Sequence, residues 1–376
     1  MMYKFFLPTK IIFGENAVSF LPEEIKKFGN KTFIVCGKKS IKQAGTLDRI
    51  KKLLNDEGIE TIIYDSISPE PDTEIVNAGL RIVGREKCCS VIGIGGGSAI
   101  DVAKAVAGLA SEEHSAEDYL EIDGIKKIEN PGRPFISVPT VSGTGAEVTM
   151  NSVLVNPKTG NKRSIRSKYL FAKVAIIDPE LTLTVPPDIT ATSGIDALCH
   201  LVEGFISKKS NPVCDTLVHR GVKYVIENLP RVIKNPENLH AREKLALASL
   251  YGGIMIANSG LTLAHGIGSV IGPKYKIPHG LACAISLPEV LNYNLPVLPQ
   301  EKLVVTRRVF GKNPKLFLKK FFREINLPTK LTNITYITDS TELTKLAEQI
   351  LNTSSAKGNP KEVTVEDITK ILKSII

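Results

Sequence analysis

Two hydrophobic periods divide this chain, and the change from one to the other constrains its fold more than any other feature. Over the first 185 residues, short β-branched runs alternate with segments of helical spacing. The runs 32–36 (TFIVC), 60–64 (ETIIY), 90–94 (SVIGI), 134–138 (PFISV) and 174–178 (VAIID) have the length and content of buried strands. Segments 41–55, 72–85 and 99–110 repeat their apolar residues at the helical period. Such alternation predicts a mostly parallel sheet with helices on its faces. Segment 153–166 alternates around Asn156-Pro157-Lys158-Thr159-Gly160 and reads as a hairpin.

At Val185-Pro186-Pro187-Asp188 the strand pattern stops. Helical spacing then recurs at 189–207, 212–228, 240–259, 262–271, 279–293, 313–325, 341–352 and 364–375. Asp188 is expected to cap the first of these, and Thr364 with Asp367 the last. A length of 376 residues favours two domains. The expected division is an α/β domain over 1–185 and an all-helical domain over 186–376.

Composition removes several classes of function. At 43% hydrophobic and 23% charged residues the chain is globular in composition. No apolar run has membrane-spanning length, and the start, MMYKFFLPTKIIF, lacks the plan of a signal peptide, so a cytoplasmic location without a membrane partner is expected. The six cysteines include adjacent Cys88 and Cys89 but no CxxC spacing, which argues against a disulfide framework or a cysteine zinc site. The net charge of +9 comes from lysines spread along the chain, and aromatics mix with basic residues only over 317–323, where an amphipathic helix accounts for them. A nucleic-acid partner is therefore not expected, whereas an anionic cofactor would gain from the charge.

Two constellations carry chemistry. Asp196 and His200, four residues apart on a helical stretch (SGIDALCH), share one helix face. Such a pair also occurs as an ordinary surface pair. His265 and His279, each followed by glycine, would complete an N3O donor set that suits Zn²⁺ or Fe²⁺. Separately, Gly95-Gly96-Gly97-Ser98 follows an apolar strand and opens a helix, a place where backbone N–H groups can meet a phosphate. Ser98 and Asp101 also read as a helix-capping pair. The loop 140–149 (TVSGTGAEVT) offers hydroxyls on Thr140, Ser142, Thr144 and Thr149, or serves as a plain connection.

Taken in order, GGGSAID at 95–101, VPTVSGTGAEVT at 138–149, AIIDPELTLTVPP at 175–187, SGIDALCHLVE at 193–203, the HG…PHG pair at 265–280 and GNPKEVTVEDI at 358–368 resemble the iron-containing, group III alcohol dehydrogenases over nearly the whole chain. The resemblance implies the dehydroquinate synthase-like fold of that family: a Rossmann-like α/β domain for a dinucleotide and an all-α metal-binding domain, with the metal in the cleft between them. It implies Asp196, His200, His265 and His279 as ligands of Fe²⁺, with Zn²⁺ as the alternative ion. Gly96, Gly97, Ser98 and Asp101 fall at the pyrophosphate, Thr140, Ser142, Thr144 and Thr149 along the nicotinamide, and Lys162 near the ribose. A homodimer or larger homo-oligomer is likewise implied.

The departures from the family pattern matter too. Where NAD-preferring members often carry an Asp on the ribose, this chain has Gly37, followed by Lys38, Lys39 and Ser40. Room and positive charge there predict NADP(H) over NAD(H). Ser269 stands in place of a frequent second histidine and becomes the candidate proton relay. Cys283 and Glu289 replace a frequent Asn and His near the pocket. The expected reaction moves a hydride between NAD(P)(H) and a small alcohol or aldehyde. The rivals are a glycerol dehydrogenase-like or maleylacetate reductase-like enzyme of the same fold, and a metal-dependent hydrolase that uses no dinucleotide.

Overall fold

The computed structural model describes residues 2–334 and 340–376, with Ser340 known by its backbone alone. Within them the chain forms two compact units.

One unit comprises Leu7–Val141 and Gly145–Thr184. Its strands are β1 (Lys10–Phe13), β2 (Lys31–Gly37), β3 (Glu60–Ile67), β4 (Ser90–Gly95), β5 (Phe135–Pro139), β6 (Asn151–Val155), β7 (Lys162–Arg166) and β8 (Val174–Ile177). Its helices are α1 (Leu21–Lys26), α2 (Ser40–Gln43), α3 (Thr46–Asp56), α4 (Thr73–Glu86) and α5 (Gly97–Leu109). Six strands make one parallel sheet in the order β1-β8-β5-β4-β2-β3, and β6 and β7 form the expected antiparallel hairpin.

Period-two alternation builds a core on each face of the sheet. Phe33, Val35, Val91 and Phe135 bury against Val76 and Val83 of α4 and Ala103 and Val106 of α5. Ile34, Ile92, Ile136 and Ile176 bury on the other side against Ile25 of α1 and Ile50 and Leu54 of α3. Each buried Val, Ile, Leu or Phe among them contributes about 1.5–3 kcal/mol.

Three local features differ from the sequence reading. The single helix expected at 41–55 is two, α2 and α3, separated at Ala44 and Gly45, where Gly45 is left-handed (φ +70°). Strand β1 is too short and too exposed to have announced itself by periodicity. Ser98 and Asp101 do not cap α5. Gly96 holds the cap position, and the Asp101 carboxylate instead accepts from Val153 N–H at 3.1 Å.

The other unit is helical. It comprises Val185–Ile376, the stretch ending at Phe6, and Ser142–Thr144. Its helices are α6 (Pro187–Ile206), α7 (Pro212–Lys234), α8 (Leu239–Ser259), α9 (Leu263–Tyr275), α10 (His279–Asn294), α11 (Gln300–Phe310), α12 (Pro314–Glu324), α13 (Ser340–Leu351), α14 (Ser354–Lys357) and α15 (Val365–Ile375). Asp188 lies within the first turn of α6, and Pro186 occupies the cap. The capping box of Thr364 and Asp367 forms as expected. Helix α11 escaped the sequence reading because it buries little beyond Lys302, Thr306 and Phe310. Helix α7 runs through Pro230 to Lys234, since Leu229 and Val232 go on packing into the core.

Helix α6 is the axis of this unit. Every residue from Gly194 to Ile206 is buried, and α7, α8 and α10 pack around it. A helix buried all round carries polar side chains only where each finds a partner. No single helix among the described residues is long and apolar enough to cross a membrane.

Candidate functional site

Asp196, His200 and Glu203 lie along one face of α6 and are all buried. His200 places Nε2 3.7 Å from Asp196 Oδ1. Its Nδ1 lies 3.2 Å from the Gly143 carbonyl. A carbonyl only accepts, so Nδ1 carries the proton and the Nε2 lone pair faces Asp196. Gly143 is itself held, its N–H donating to Ser249 Oγ of α8 at 2.8 Å.

His265 is oriented from the same helix. Its Nδ1 donates to Glu203 Oε2. Glu203 Oε1 accepts from Thr262 Oγ1 (2.7 Å) and from the N–H groups of Thr262, Ala264 and His265, at the start of α9. One carboxylate thus closes the N-terminus of α9 and sets the tautomer of a histidine on that helix. The His265 ring stacks on His200 at 4.7 Å between centroids, and its Nε2 points to Asp196 Oδ1 at 3.6 Å.

His279 is the first residue of α10, and its ring meets His265 edge-on at 5.4 Å. The glycine after it has a steric reason. A methyl group on Gly280 would lie 2.2 Å from Thr192 O and 2.7 Å from Asp196 Cβ, so only glycine lets α10 approach α6 this closely. The four residues expected as ligands therefore converge. The group of donor atoms within 4.8 Å of one another takes one each from Asp196, His265, His279 and Cys283, and His200 is not part of that group.

The donor chemistry fits a divalent cation. Asp196 Oδ1 and His265 Nε2 are buried and have no hydrogen-bond partner among the described residues. At 3.6 Å they are too far apart to bond each other, and the His200 lone pair also faces Asp196. Buried groups that converge in this way call for a proton or a cation between them: burial lowers the His265 ring, but Cys283, Glu203 and Asp196 together hold it well above its ordinary value. A divalent cation among them takes the place of that proton. Burial pushes the Asp196 carboxyl up, but His200, His265 and His279 together hold it well below the usual carboxylate range. Burial holds the His200 ring below its ordinary value, which keeps its nitrogen available to a metal. For Glu203, burial is outweighed by His265 and Thr262, so the group stays ionised.

In the α/β unit, Gly96, Gly97 and Ser98 stand half-buried at the start of α5, directly after the central strand β4. Asp101 is tied to the hairpin through Val153 N–H, and its own carbonyl accepts from Ser152 Oγ at 2.8 Å. Thr149 is also committed: its Oγ1 lies 2.9 Å from Nζ of the fully buried Lys104, which donates further to the carbonyls of Ala146 and Asn151. Lys104 belongs to none of the sequence motifs, and its position three residues after Asp101 on α5 is the sign of it in the sequence. Thr140 and Ser142 are half-buried, and Thr144 lies in the short stretch that belongs to the helical unit. Lys162 opens β7, 3.5 Å from Glu70. Gly37 closes β2, exposed Lys38 and Lys39 follow, and Ser40 begins α2.

Glu147, within the 140–149 loop, is buried away from solvent. Burial pushes its carboxyl up to about 7, with its own backbone N–H and Lys104 opposing. Glu289 has no free role at the site, because Lys315 and Lys319 each pair with it at 2.7 Å. Ser269 is exposed, and its hydroxyl donates back to Gly266 O at 2.9 Å. Glu203 was the main omission among site residues. Its spacing of three from His200, on a stretch otherwise apolar, was the available sign.

Residues 8–179 match the family model described as iron-containing alcohol dehydrogenase, and 190–376 match the model of that family's C-terminal region. The 1,3-propanediol dehydrogenase of Citrobacter freundii is 32% identical over 386 residues, which span 99% of this chain and 98% of that protein. The NAD-dependent methanol dehydrogenase of Bacillus methanolicus is 28% identical over 387 residues and 100% of both chains. Among solved structures, sulfoacetaldehyde reductase from Bifidobacterium kashiwanohense in complex with NAD+ superposes with a TM-score of 0.92 at 30% identity, covering 100% of this chain and 99% of the other.

Proposed function

The chain belongs to the iron-containing alcohol dehydrogenase family, and on that premise we propose that Asp196, His200, His265 and His279 hold its divalent metal and that NADP(H) is its preferred hydride carrier. The reaction transfers a hydride between a nicotinamide dinucleotide and a small alcohol or aldehyde. The observation that supports the ligand set is the pair of buried, unpartnered atoms Asp196 Oδ1 and His265 Nε2 facing each other at 3.6 Å.

A divalent ion bound there supplies Lewis acidity, which acidifies an alcohol hydroxyl or polarises an aldehyde oxygen. A nicotinamide dinucleotide, when bound, would supply the hydride donor or acceptor. The protein's part is preorganisation. Gly143 O and Glu203 accept hydrogen bonds from Nδ1 of His200 and His265 and so turn both Nε2 atoms inward. Asp196 contributes the negative charge. Ser269, whose hydrogen is given to Gly266 O, offers an outward oxygen as the proton relay. Fe²⁺ is the proposed ion and Zn²⁺ its competitor, because histidine and carboxylate donors accept both.

Gly96, Gly97 and Ser98 are proposed to meet the pyrophosphate through backbone N–H groups. Asp101 and Thr149 support that region from behind, by way of Val153 and Lys104. Thr140, Ser142 and Thr144 are proposed along the nicotinamide and Lys162 near the ribose. NADP(H) preference is supported by Gly37, which adds no side chain at the end of β2, beside exposed Lys38 and Lys39 and the Ser40 hydroxyl. The family resemblance supports a homodimer or larger assembly, which light scattering tests.

The decisive assay is anaerobic oxidation of NADPH and NADH against short aldehydes, on protein loaded with Fe²⁺ or with Zn²⁺. Metal-dependent turnover that favours NADPH is the expected result. Equal or better use of NADH removes the cofactor preference. Turnover that survives complete metal removal removes the ligand assignment.

A further inference from the structure

Cys283 stands one helical turn after His279 on α10, fully buried, with Sγ 3.8 Å from His279 Nε2. Its sulfur belongs to the donor group whose atoms lie within 4.8 Å of one another. Two atoms bound to one first-row ion at about 2.0–2.3 Å each can stand at most about 4.6 Å apart, so this group has nearly the dimensions of a coordination shell. The sulfur is held in place by its surroundings. A methyl group on Gly268 of α9 would lie 2.3 Å from Cys283 Sγ and 3.0 Å from its backbone nitrogen. Glycine at 268 therefore leaves the space that the thiol occupies between α9 and α10. Independently of the cysteine, the unpartnered atoms Asp196 Oδ1 and His265 Nε2, each more than nine-tenths buried, point into the same spot.

We infer that Cys283 is a further protein ligand of the divalent metal, a sulfur donor beside Asp196, His265 and His279. The inference rests on the metal-binding reading above and deepens it. Coordination releases the thiol proton to solvent and leaves the sulfur as a soft anionic donor. Such a donor tilts the site towards Zn²⁺ relative to a purely nitrogen and oxygen set.

The test uses the full-length protein, stripped of metal by a chelator and loaded anaerobically with one equivalent of Co²⁺. Electronic absorption then separates the donors. The d–d bands report any protein-bound cobalt, and a near-ultraviolet sulfur-to-cobalt charge-transfer band reports a bound thiolate. The expected spectrum of the unmodified protein contains both. Cys283→Ser loses the charge-transfer band and keeps d–d bands, while Cys199→Ser, changed in the neighbouring core, retains both. Cobalt d–d bands without the charge-transfer band in the unmodified protein overturn the role of Cys283 and leave the four-ligand site standing. A band lost in Cys199→Ser and kept in Cys283→Ser overturns it equally. Failure to retain cobalt at all overturns both readings. The spectrum of the unmodified protein decides even where the Cys283→Ser variant does not fold.

Discussion

Glu203 accepts the Nδ1 proton of His265 with one oxygen and closes the N-terminus of α9, the helix that carries His265, with the other. Position and orientation of the histidine are therefore set by a single buried carboxylate on α6. Glu203→Gln removes the charge and turns an acceptor oxygen into an N–H donor facing donors. Metal affinity is expected to fall roughly 10–100-fold, the usual effect of removing an outer partner of a ligating histidine. Competition with a chromophoric chelator measures it, and unchanged affinity would show that Glu203 serves only α9.

Metal removal should silence the enzyme without unfolding it, because the apolar residues that flank the ligands, such as Ile195, Ala197, Ala264 and Ala282, belong to one large core of the helical unit. Chelated protein is expected to regain turnover on addition of Fe²⁺ or Zn²⁺, and His265→Ala is expected not to. At metal concentrations about 100-fold above Kd the bound form gains about 2.7 kcal/mol of stability. A metal-independent melting temperature in the unmodified protein would contradict the site.

Gly280→Ala places a methyl group 2.2 Å from Thr192 O and 2.7 Å from Asp196 Cβ. Helix α10 must then move away from α6, carrying His279 with it. Denaturant unfolding should show a loss of about 1–3 kcal/mol, as for overpacked sites, together with weaker metal binding. A fully stable variant with normal metal affinity would mean that the two helices are not held at this distance.

Gly37→Asp introduces a carboxylate at the proposed 2′-phosphate position. The ratio of kcat/KM for NADPH over NADH is expected to drop by roughly tenfold or more, equivalent to about 1.4 kcal/mol. Steady-state kinetics with both cofactors measure the ratio, and an unaltered value would move the phosphate elsewhere.

Glu147 predicts a pH dependence of stability. Its folded pKa, about 7, lies above the ordinary 4.5. Between these values the folded state binds more protons than the unfolded state, so stability falls as pH rises from about 4.5 to about 7 and is flat beyond. The loss attributable to this group is up to about 3 kcal/mol. Glu147→Gln should flatten the profile over that interval, and a mutant curve parallel to the unmodified protein's would refute the assignment.

Several features were legible in the chain itself. Strand-helix alternation up to 185 and helical spacing beyond it follow from side-chain periodicity, which is local, and the sheet and helical unit appeared accordingly. The family motifs marked Asp196, His200, His265 and His279, and the i, i+4 spacing put the first two on one face of α6. Elements that bury little, such as β1 and α11, left too weak a pattern to read.

Other features depended on residues distant in sequence. Glu203 meets His265 across 62 residues, and Lys104 meets Thr149 across 45. The Ser98 and Asp101 spacing reads as a cap, yet Asp101 bonds to Val153 on a separate hairpin. Cys283 becomes a metal-ligand candidate only because Gly268 lets α9 close on α10. Local sequence determines the period of each element and hence which face is apolar. Which buried donor faces which acceptor depends on how those faces pack, and that is decided only when the tertiary structure closes around them.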